Sequence, residues 1–521
     1  MSDPTSVADE PAAPWPGSHR MPRWELGTLP IAPGFDSRAL AGMLGPGLIL
    51  AGSSIGGGEW LLGPAVAAQY GGALLWVATI SILCQFVYNL EASRYALYTG
   101  ESIMTGKFRT LPGPGFWLAT YAVLDLGALL PYQIGSVATP LLALWRGELP
   151  QPGTVDTSLL RWLSYGLLVF ALLPLVFGGK VYNALKAVMT VKIVVVFGFL
   201  LFLAFGFSSA ATWTEIGRGL LAIGQIPLGD GETINLFGAV ASGTPIPRPD
   251  HDAMLLMTAF AAIAGVGGLA QTSISNYTRD QGWGMGARVG AIPSFIGGHA
   301  FQLSHVGMVF RPTAEALREW RGWMRQVRRD QAIVWVPASF IGLALPAMLS
   351  IEFLPRGIIA ETWSLAGLTA GGVQTRLGGA LGDFAWFMVL LCGILVIVPN
   401  TTSAADAFIR RWVEVSWTGL TSLQRWDPHR IRLLYFGVLA AYFAVGLFFL
   451  SIARPLWLIV LYGNLGNFVL GVSCWHVLYV NLTLLPPEVR PGWFGRIGLG
   501  LAGTYFVGLA VLTLVVALGW V

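Results

Sequence analysis

The chain is a succession of apolar runs, each long enough to cross a bilayer and joined by short polar links. About 20 predominantly apolar residues span a membrane's hydrocarbon core. Eleven such runs are read at 40–70, 73–97, 116–144, 160–178, 184–207, 253–278, 332–351, 384–409, 431–452, 456–482 and 497–519. Only 11% of the 521 residues are charged and 55% are hydrophobic, against about 25% charged in an average soluble chain. So few charges cannot cover a soluble domain of this size. A cytosolic enzyme, a disordered chain and a secreted disulfide scaffold are thereby excluded, and the class is an all-α polytopic membrane protein. Cys84, Cys392 and Cys474 lie inside apolar runs with no CxxC or Cys/His cluster, so neither disulfides nor a zinc site is expected. No Walker A or HExxH string occurs, and neither an enzyme activity nor a cofactor is expected.

Orientation follows from the basic residues, which concentrate on the cytoplasmic side of membrane proteins. With the N-terminus inside, the eleven-span reading puts 24 Lys/Arg on the inner side and 7 on the outer. The expectation is a cell (inner or plasma) membrane protein with its C-terminus outside. Residues 1–39 read as a polar cytoplasmic tail without a signal-peptide core. The outer loop 208–252 gathers Glu215, Asp230, Glu232, Asp250 and Asp252. It reads as a solvated loop or a weak attractor of cations at an external mouth. The apolar stretch 290–310, interrupted by Pro293, Gly297, Gly298, His299 and His305, reads as interfacial or re-entrant. It lies in a cytoplasmic insertion, 279–330, whose basic part 311–330 reads as a helix lying against anionic lipid headgroups. Lipid is the expected neighbour. Nucleic acid is not, and no obligate protein partner is evident.

Two spans are interrupted. The first contains Gly56-Gly57-Gly58-Glu59. Each glycine costs about 1 kcal/mol relative to alanine inside a helix, so three in a row beside a carboxylate predict unwinding. Unwound backbone at membrane depth survives where it lines a cavity or is buried in protein. The sixth span contains Gly265-Val266-Gly267-Gly268 followed by the polar run Gln271 to Asn276. The breaks lie five spans apart, and an odd count inverts the second half relative to the first. Interrupted helices at matching positions of two inverted halves mark a substrate site. The arrangement is LeuT-like (APC superfamily): repeats 40–207 and 253–482, with an eleventh helix in 483–521.

Other polar residues within spans are functional candidates by default. Asp125 is the proton-relay candidate, with a hydrogen bond to a neighbouring helix as the plainer reading. Tyr132 and Gln133 follow Pro131, where a kink is expected, and line the same cavity in this reading. Lys186 and Lys192 are expected to snorkel to the inner interface. Glu91 with Arg94 and Asp406 with Arg410 are expected to form ion pairs along their helices. His476 reads as a satisfied packing residue.

The stretch 45–76 resembles the start of the Nramp family of proton-coupled divalent metal transporters. Gly45-Pro46-Gly47, Gln69 and Ala73-Leu74-Leu75-Trp76 match the family's opening pattern. Pro399 to Asp406 in span eight and Asn464-Leu465-Gly466-Asn467 in span ten are similar to it as well. The resemblance covers most of 40–480 and implies a secondary transporter. The metal-binding motifs depart from it. The family's Asp-Pro-Gly-Asn falls on Gly56, Gly57, Gly58 and Glu59, and its Met-Pro-His-Asn on Gly268-Leu269-Ala270-Gln271. Its third-span Asp falls on Asp125, but the neighbouring Glu falls on Ala128. Without the thioether, oxygen ligands remain, which suit hard ions such as Mg²⁺ or Mn²⁺. The ligand set is then Glu59 and Gln271, with backbone near Gly56, Gly267 and Gly268, and Asn464. The expected function is symport or uniport of a divalent cation by alternating access. The alternatives are a carrier of a non-metal solute or anion, and a non-transporting membrane sensor.

Overall fold

The computed structural model describes residues 12–34, 52, 56–131, 133–150, 157–176, 181–228, 231–290, 304, 306–359, 367–427, 430–452 and 455–519. Gly45-Pro46-Gly47, Tyr132, Asp230 and most of 290–310 lie outside them. Helices dominate because a spanning segment must satisfy its backbone polar groups internally. Among the described residues, nine helices are long and apolar enough to cross a membrane, from Leu126–Arg146 to Trp493–Ala517. They coincide with expected spans three to eleven. Span two is the helix Trp76–Thr99, which is more polar because it carries Gln85, Asn89, Glu91 and Arg94. Of span one, the π-helical turn Gly57–Leu62 and the helix Gly63–Tyr70 are described.

The spans divide into broken and continuous ones. Span six runs as His251–Ile263, opens, resumes as the 3-10 turn Gly268–Thr272, and ends as Ser273–Asp280. Gly265 and Gly267 make the opening with φ of +95° and +73°, a left-handed region that costs residues with a Cβ about 1–2 kcal/mol. Span three is fragmented into Pro114–Leu124, two 3-10 turns and Ala138–Arg146, so the disruption reaches well beyond Pro131. Span eight is a single helix of 41 residues, Gly379–Gly419, that continues through Pro399. It packs against spans three, four, five and nine. Span ten, Pro455–Thr483, packs on span eleven and on the first half of span six.

The connecting segments are more ordered than their polarity suggests. In the loop 208–252, Glu215 pairs with Arg356 at 2.6 Å and Asp250 caps the helix at His251 by accepting from Ala253 N–H at 2.7 Å. The basic stretch forms the helix Ala314–Arg329, which continues span seven. It buries Trp320, Trp323, Met324 and Val327 while Arg318, Arg321, Arg325 and Arg328 stay exposed. Expected ion pairs form between Glu91 and Arg94 and between Asp406 and Arg410, both at 2.7 Å.

The N-terminal segment, expected as a polar tail, is docked over 12–34. Glu25–Leu26 pairs in parallel with Met308–Val309, and Met21 and Trp24 are buried. Glu101 anchors this region. It accepts from Trp24 Nε1 at 3.1 Å, Tyr95 Oη at 2.8 Å, Arg109 Nε at 2.7 Å and Gly307 N–H at 3.0 Å. Burial alone pushes the Glu101 carboxyl up, but Arg109 and the Tyr95 and Trp24 donors together hold it below its ordinary value. A carboxyl lowered in the folded state adds stability above its unfolded pKa, and that stability is lost as pH falls through the folded value. Thermal melts of detergent-purified protein should therefore show a Tm that falls on acidification below about pH 4.5. Glu101→Gln should lower Tm at neutral pH and flatten that acid limb; an unchanged acid limb would remove Glu101 as the anchor.

Candidate functional site

The two breaks meet at Glu59. Its side chain is fully buried, and each carboxylate oxygen takes one backbone amide. Oε2 accepts from Gly56 N–H at 3.1 Å, and Oε1 accepts from Gly265 N–H at 2.6 Å. One carboxylate thus joins two half-helices that lie 206 residues apart in the chain. The rest of the span-six break is satisfied from span two. Gln85 Oε1 accepts from Val266 and Gly267 N–H at 3.0 and 3.3 Å, and Gln85 Nε2 donates to the Ala264 carbonyl at 2.7 Å and to Ser81 Oγ at 2.9 Å. A Cβ on Gly267 would lie 2.3 Å from the Ala262 carbonyl oxygen, so the turn also needs glycine for space.

Span eight closes the site. A Cβ on Gly56 would lie 2.3 Å from Asn400 Nδ2, which places Asn400 directly against the first break. Asn400 donates to Gln133 Oε1 at 2.7 Å, so Gln133 does reach the centre from span three. Beside Asn400 lies a narrow cavity of about 20 Å³, room for about one water molecule. Val266, Ala270 and Ser273 line it from span six, Asn400, Ser403, Ala404 and Ala407 from span eight, and Tyr462 from span ten. No lining residue carries a charged side chain.

Lys192 departs from the sequence expectation. Its side chain is 1% exposed and does not snorkel. Its Nζ donates to the Gly52 carbonyl at 2.6 Å. The cause is close helix contact: Met189, one turn earlier, sits where a Cβ on Gly52 would be, 2.7 Å from its own Cβ. The side chain of Lys186 lies outside the described residues.

Gln271 and Asn464, expected as ligands, are engaged elsewhere. Gln271 Nε2 donates to Asn89 Oδ1, whose own amide donates to Gln331 Oε1 at 2.8 Å. This amide ladder ties span six to spans two and seven. Asn464 Oδ1 accepts from Thr258 Oγ1 at 2.7 Å and Thr513 Oγ1 at 2.9 Å, and its amide donates to the Leu255 and Val460 carbonyls. Neither bonds to Glu59. Among the described residues, no group of three or more His, Cys, Asp or Glu converges as a metal ion requires. Gly57, Gly58 and Gly268 contribute backbone to the two breaks.

Asp125 is paired, in keeping with the plainer of its two readings. Arg411 Nη2 and Nε donate to it at 3.0 and 3.2 Å, and Trp412 Nε1 donates at 2.9 Å. A separate buried charge lattice lies at the same arginine-rich end of span eight. Arg410 joins Asp406 and Asp280, Tyr435 Oη donates to Asp406 at 3.1 Å, and Arg279 joins Asp280 and Glu414 at 2.8 and 2.7 Å. His476 is satisfied, bonded to Thr110 Oγ1 and Tyr121 Oη at 2.9 Å each. Sequence reading passed over Ser81, Gln85 and Arg411. Two polar residues one turn apart in an apolar run, and two adjacent arginines at a span's end, were the available signals.

The chain is similar in fold to a manganese transporter. Two crystal structures of variants of the Eremococcus coleocola manganese transporter match with TM-scores of 0.61 and 0.62, each at 12% identity. They cover 93% and 94% of this chain and 88% and 89% of theirs. A third structure of that transporter, bound to an aromatic bis-isothiourea compound, matches at 0.60 and 11%. No protein-family model matches the sequence, and no curated protein matches it. The chain therefore shares the fold of that transporter.

Two substitutions test the geometry. Glu59→Ala leaves two buried amides without partners, at about 1–3 kcal/mol each, so its Tm should drop well below that of Glu59→Gln, which keeps one acceptor. Asp125→Ala leaves Arg411 buried and unpaired, a loss on the order of 3–5 kcal/mol, and its thermal melt should fall accordingly. Wild-type melts for either would contradict the bonding described.

Proposed function

We propose that this protein is a secondary transporter that moves a small polar solute of no net charge by alternating access around the two breaks. The arrangement of Glu59 carries the reading. Its carboxyl oxygens are committed to the Gly56 and Gly265 amides, so they are not free to hold a divalent cation. What faces the cavity is neutral: Ser273, Asn400, Ser403 and Tyr462, a set of hydroxyl and amide groups suited to sugars, amides or zwitterions. The likeness in fold supports the carrier class, and folds host many substrates. In this reading the N-terminus is cytoplasmic and the arginine-rich ends of the spans face inward.

The second reading is transport of a hard divalent cation such as Mg²⁺ or Mn²⁺, with or without proton coupling. The manganese transporter fold favours it. It requires Glu59 to release Gly56 or Gly265 and turn to the ion, with water completing the shell, as Mg²⁺ tolerates.

Thermal-shift screening of the purified protein separates the two. Neutral or zwitterionic solutes should raise Tm, and Asn400→Ala should abolish the shift. Stabilisation by Mg²⁺ or Mn²⁺ alone, lost in Glu59→Gln, would replace the first reading by the second. Counterflow of the stabilising solute in proteoliposomes then tests transport, and saturable flux is the expected result.

A further inference from the structure

The docked N-terminal segment forms one wall of a cleft. Gly17 has a φ of +78°, and a Cβ there would strike the Arg109 carbonyl oxygen. Ser18 N–H donates to that same oxygen at 2.7 Å. The tight turn sends Met21 inward, where it joins a small apolar cluster with Met104, Phe108, Tyr121 and Val415. His19 and Arg20, between the two anchors, are left exposed. Beside them lies an open cleft of about 400 Å³, within the range of small-ligand sites. Its apolar surface comes from Phe108 and from the ends of spans three and eight: Pro114, Leu118, Val415 and Leu420. The polar and apolar parts are segregated. The Arg20 stem passes the start of span three, with Cδ 3.9 Å from the place a Cβ on Gly113 would take. Among the described residues no carboxylate lines the cleft. Next to it, Phe116, Ala119 and Val123 form an exposed apolar stripe at i, i+3 and i+7 of span three, the spacing of one helix face. In a membrane protein that face meets lipid.

We propose that this cleft is a binding site for one anionic phospholipid. An acyl chain lies on Phe108, Leu118, Val415 and Leu420, and the phosphate lies on the Arg20 guanidinium, with a His19 ring N–H as a further donor. Basic pockets beside membrane spans take anionic headgroups in this way. A free phosphate ion would leave the apolar wall unused, and a lipid without net charge would leave the arginine uncompensated. The lipid so held ties residues 12–34 to the ends of spans three and eight, completing a contact that the chain makes only in part through Met21. The site lies apart from the two breaks and from the solute carried there.

The test uses full-length protein stripped of lipid in detergent. It is titrated with phosphatidylglycerol or with phosphatidylcholine of the same chains, and read by Tm and by the lipid retained in native mass spectrometry. Phosphatidylglycerol should raise Tm saturably, and phosphatidylcholine should do so far less. Gly115→Leu fills the cleft from its floor, where no atom lies within 4 Å of the Cβ position. Its lipid-free Tm should match wild type, and its phosphatidylglycerol shift should be lost although every arginine remains. Arg20→Gln should weaken phosphatidylglycerol about fivefold, the worth of one basic residue at an anionic membrane surface, and leave phosphatidylcholine unchanged. Arg20 is exposed, so this variant keeps the test decisive if Gly115→Leu does not fold. A phosphatidylglycerol shift that either folded variant keeps in full overturns the proposal, because the lipid then binds elsewhere. So does an equal response to the two lipids, or no response to phosphatidylglycerol. A shift reproduced in full by glycerol phosphate also overturns it, since the occupant is then a soluble phosphate. None of these readouts involves the transported solute, so a failed solute screen leaves the result standing.

Discussion

A helix can be opened inside a membrane only if something other than water satisfies the groups it releases. Each unsatisfied amide or carbonyl costs several kcal/mol in hydrocarbon, and two openings multiply the problem. The Glu59 carboxylate resolves it by accepting from Gly56 and Gly265 at once, and Gln85 takes the remaining amides of the span-six turn. The contact of spans one and six, the place of Asn400 against Gly56, and the neutral cavity beyond all depend on this single acceptor. It also sets the chemistry: a carboxyl group occupied by backbone amides is a structural group.

How far such a site can be read from sequence depends on which partner a residue finds. The spans were legible because bilayer thickness fixes their length, and the breaks were legible because consecutive glycines oppose helix. Glu59 stood out by its company. Its bond to Gly265 did not, since nothing local marks a contact across 206 residues. Lys192 looked like an interfacial lysine because span five alone gives no reason to turn inward; the reason is a glycine on another helix. Gln271, Asn464 and Asp125 had the residue types of a binding site, and each is claimed by a side chain from a distant span: Asn89, Thr258 with Thr513, and Arg411. Polarity within a span signals that a partner exists. It does not say whether the partner is a solute or the protein. The docking of residues 12–34 was likewise invisible, since Trp24 owes its burial to Glu101, Tyr98 and Arg109.

The frame consists of long apolar helices whose packing tolerates wide sequence change, which is why 12% identity still gives a TM-score of 0.61. A binding centre has no such tolerance: a few side chains at two turns decide what it can hold, so one fold serves many substrates.

The charge lattice formed by Arg279, Asp280, Asp406, Arg410 and Glu414 has a consequence for motion. All five side chains are buried where spans six and eight meet. Held dry, they are rigid and directional, yet their net contribution to stability is small because desolvation offsets attraction. Once water enters, each ion recovers its hydration as its pairing weakens. The lattice thus behaves as a clasp soluble in water: firm while the end is shut, and nearly free to part once the first solvent molecules arrive. A seal of the same area made from leucine and phenylalanine would grow costlier with every ångström of opening, because each step would expose more apolar surface.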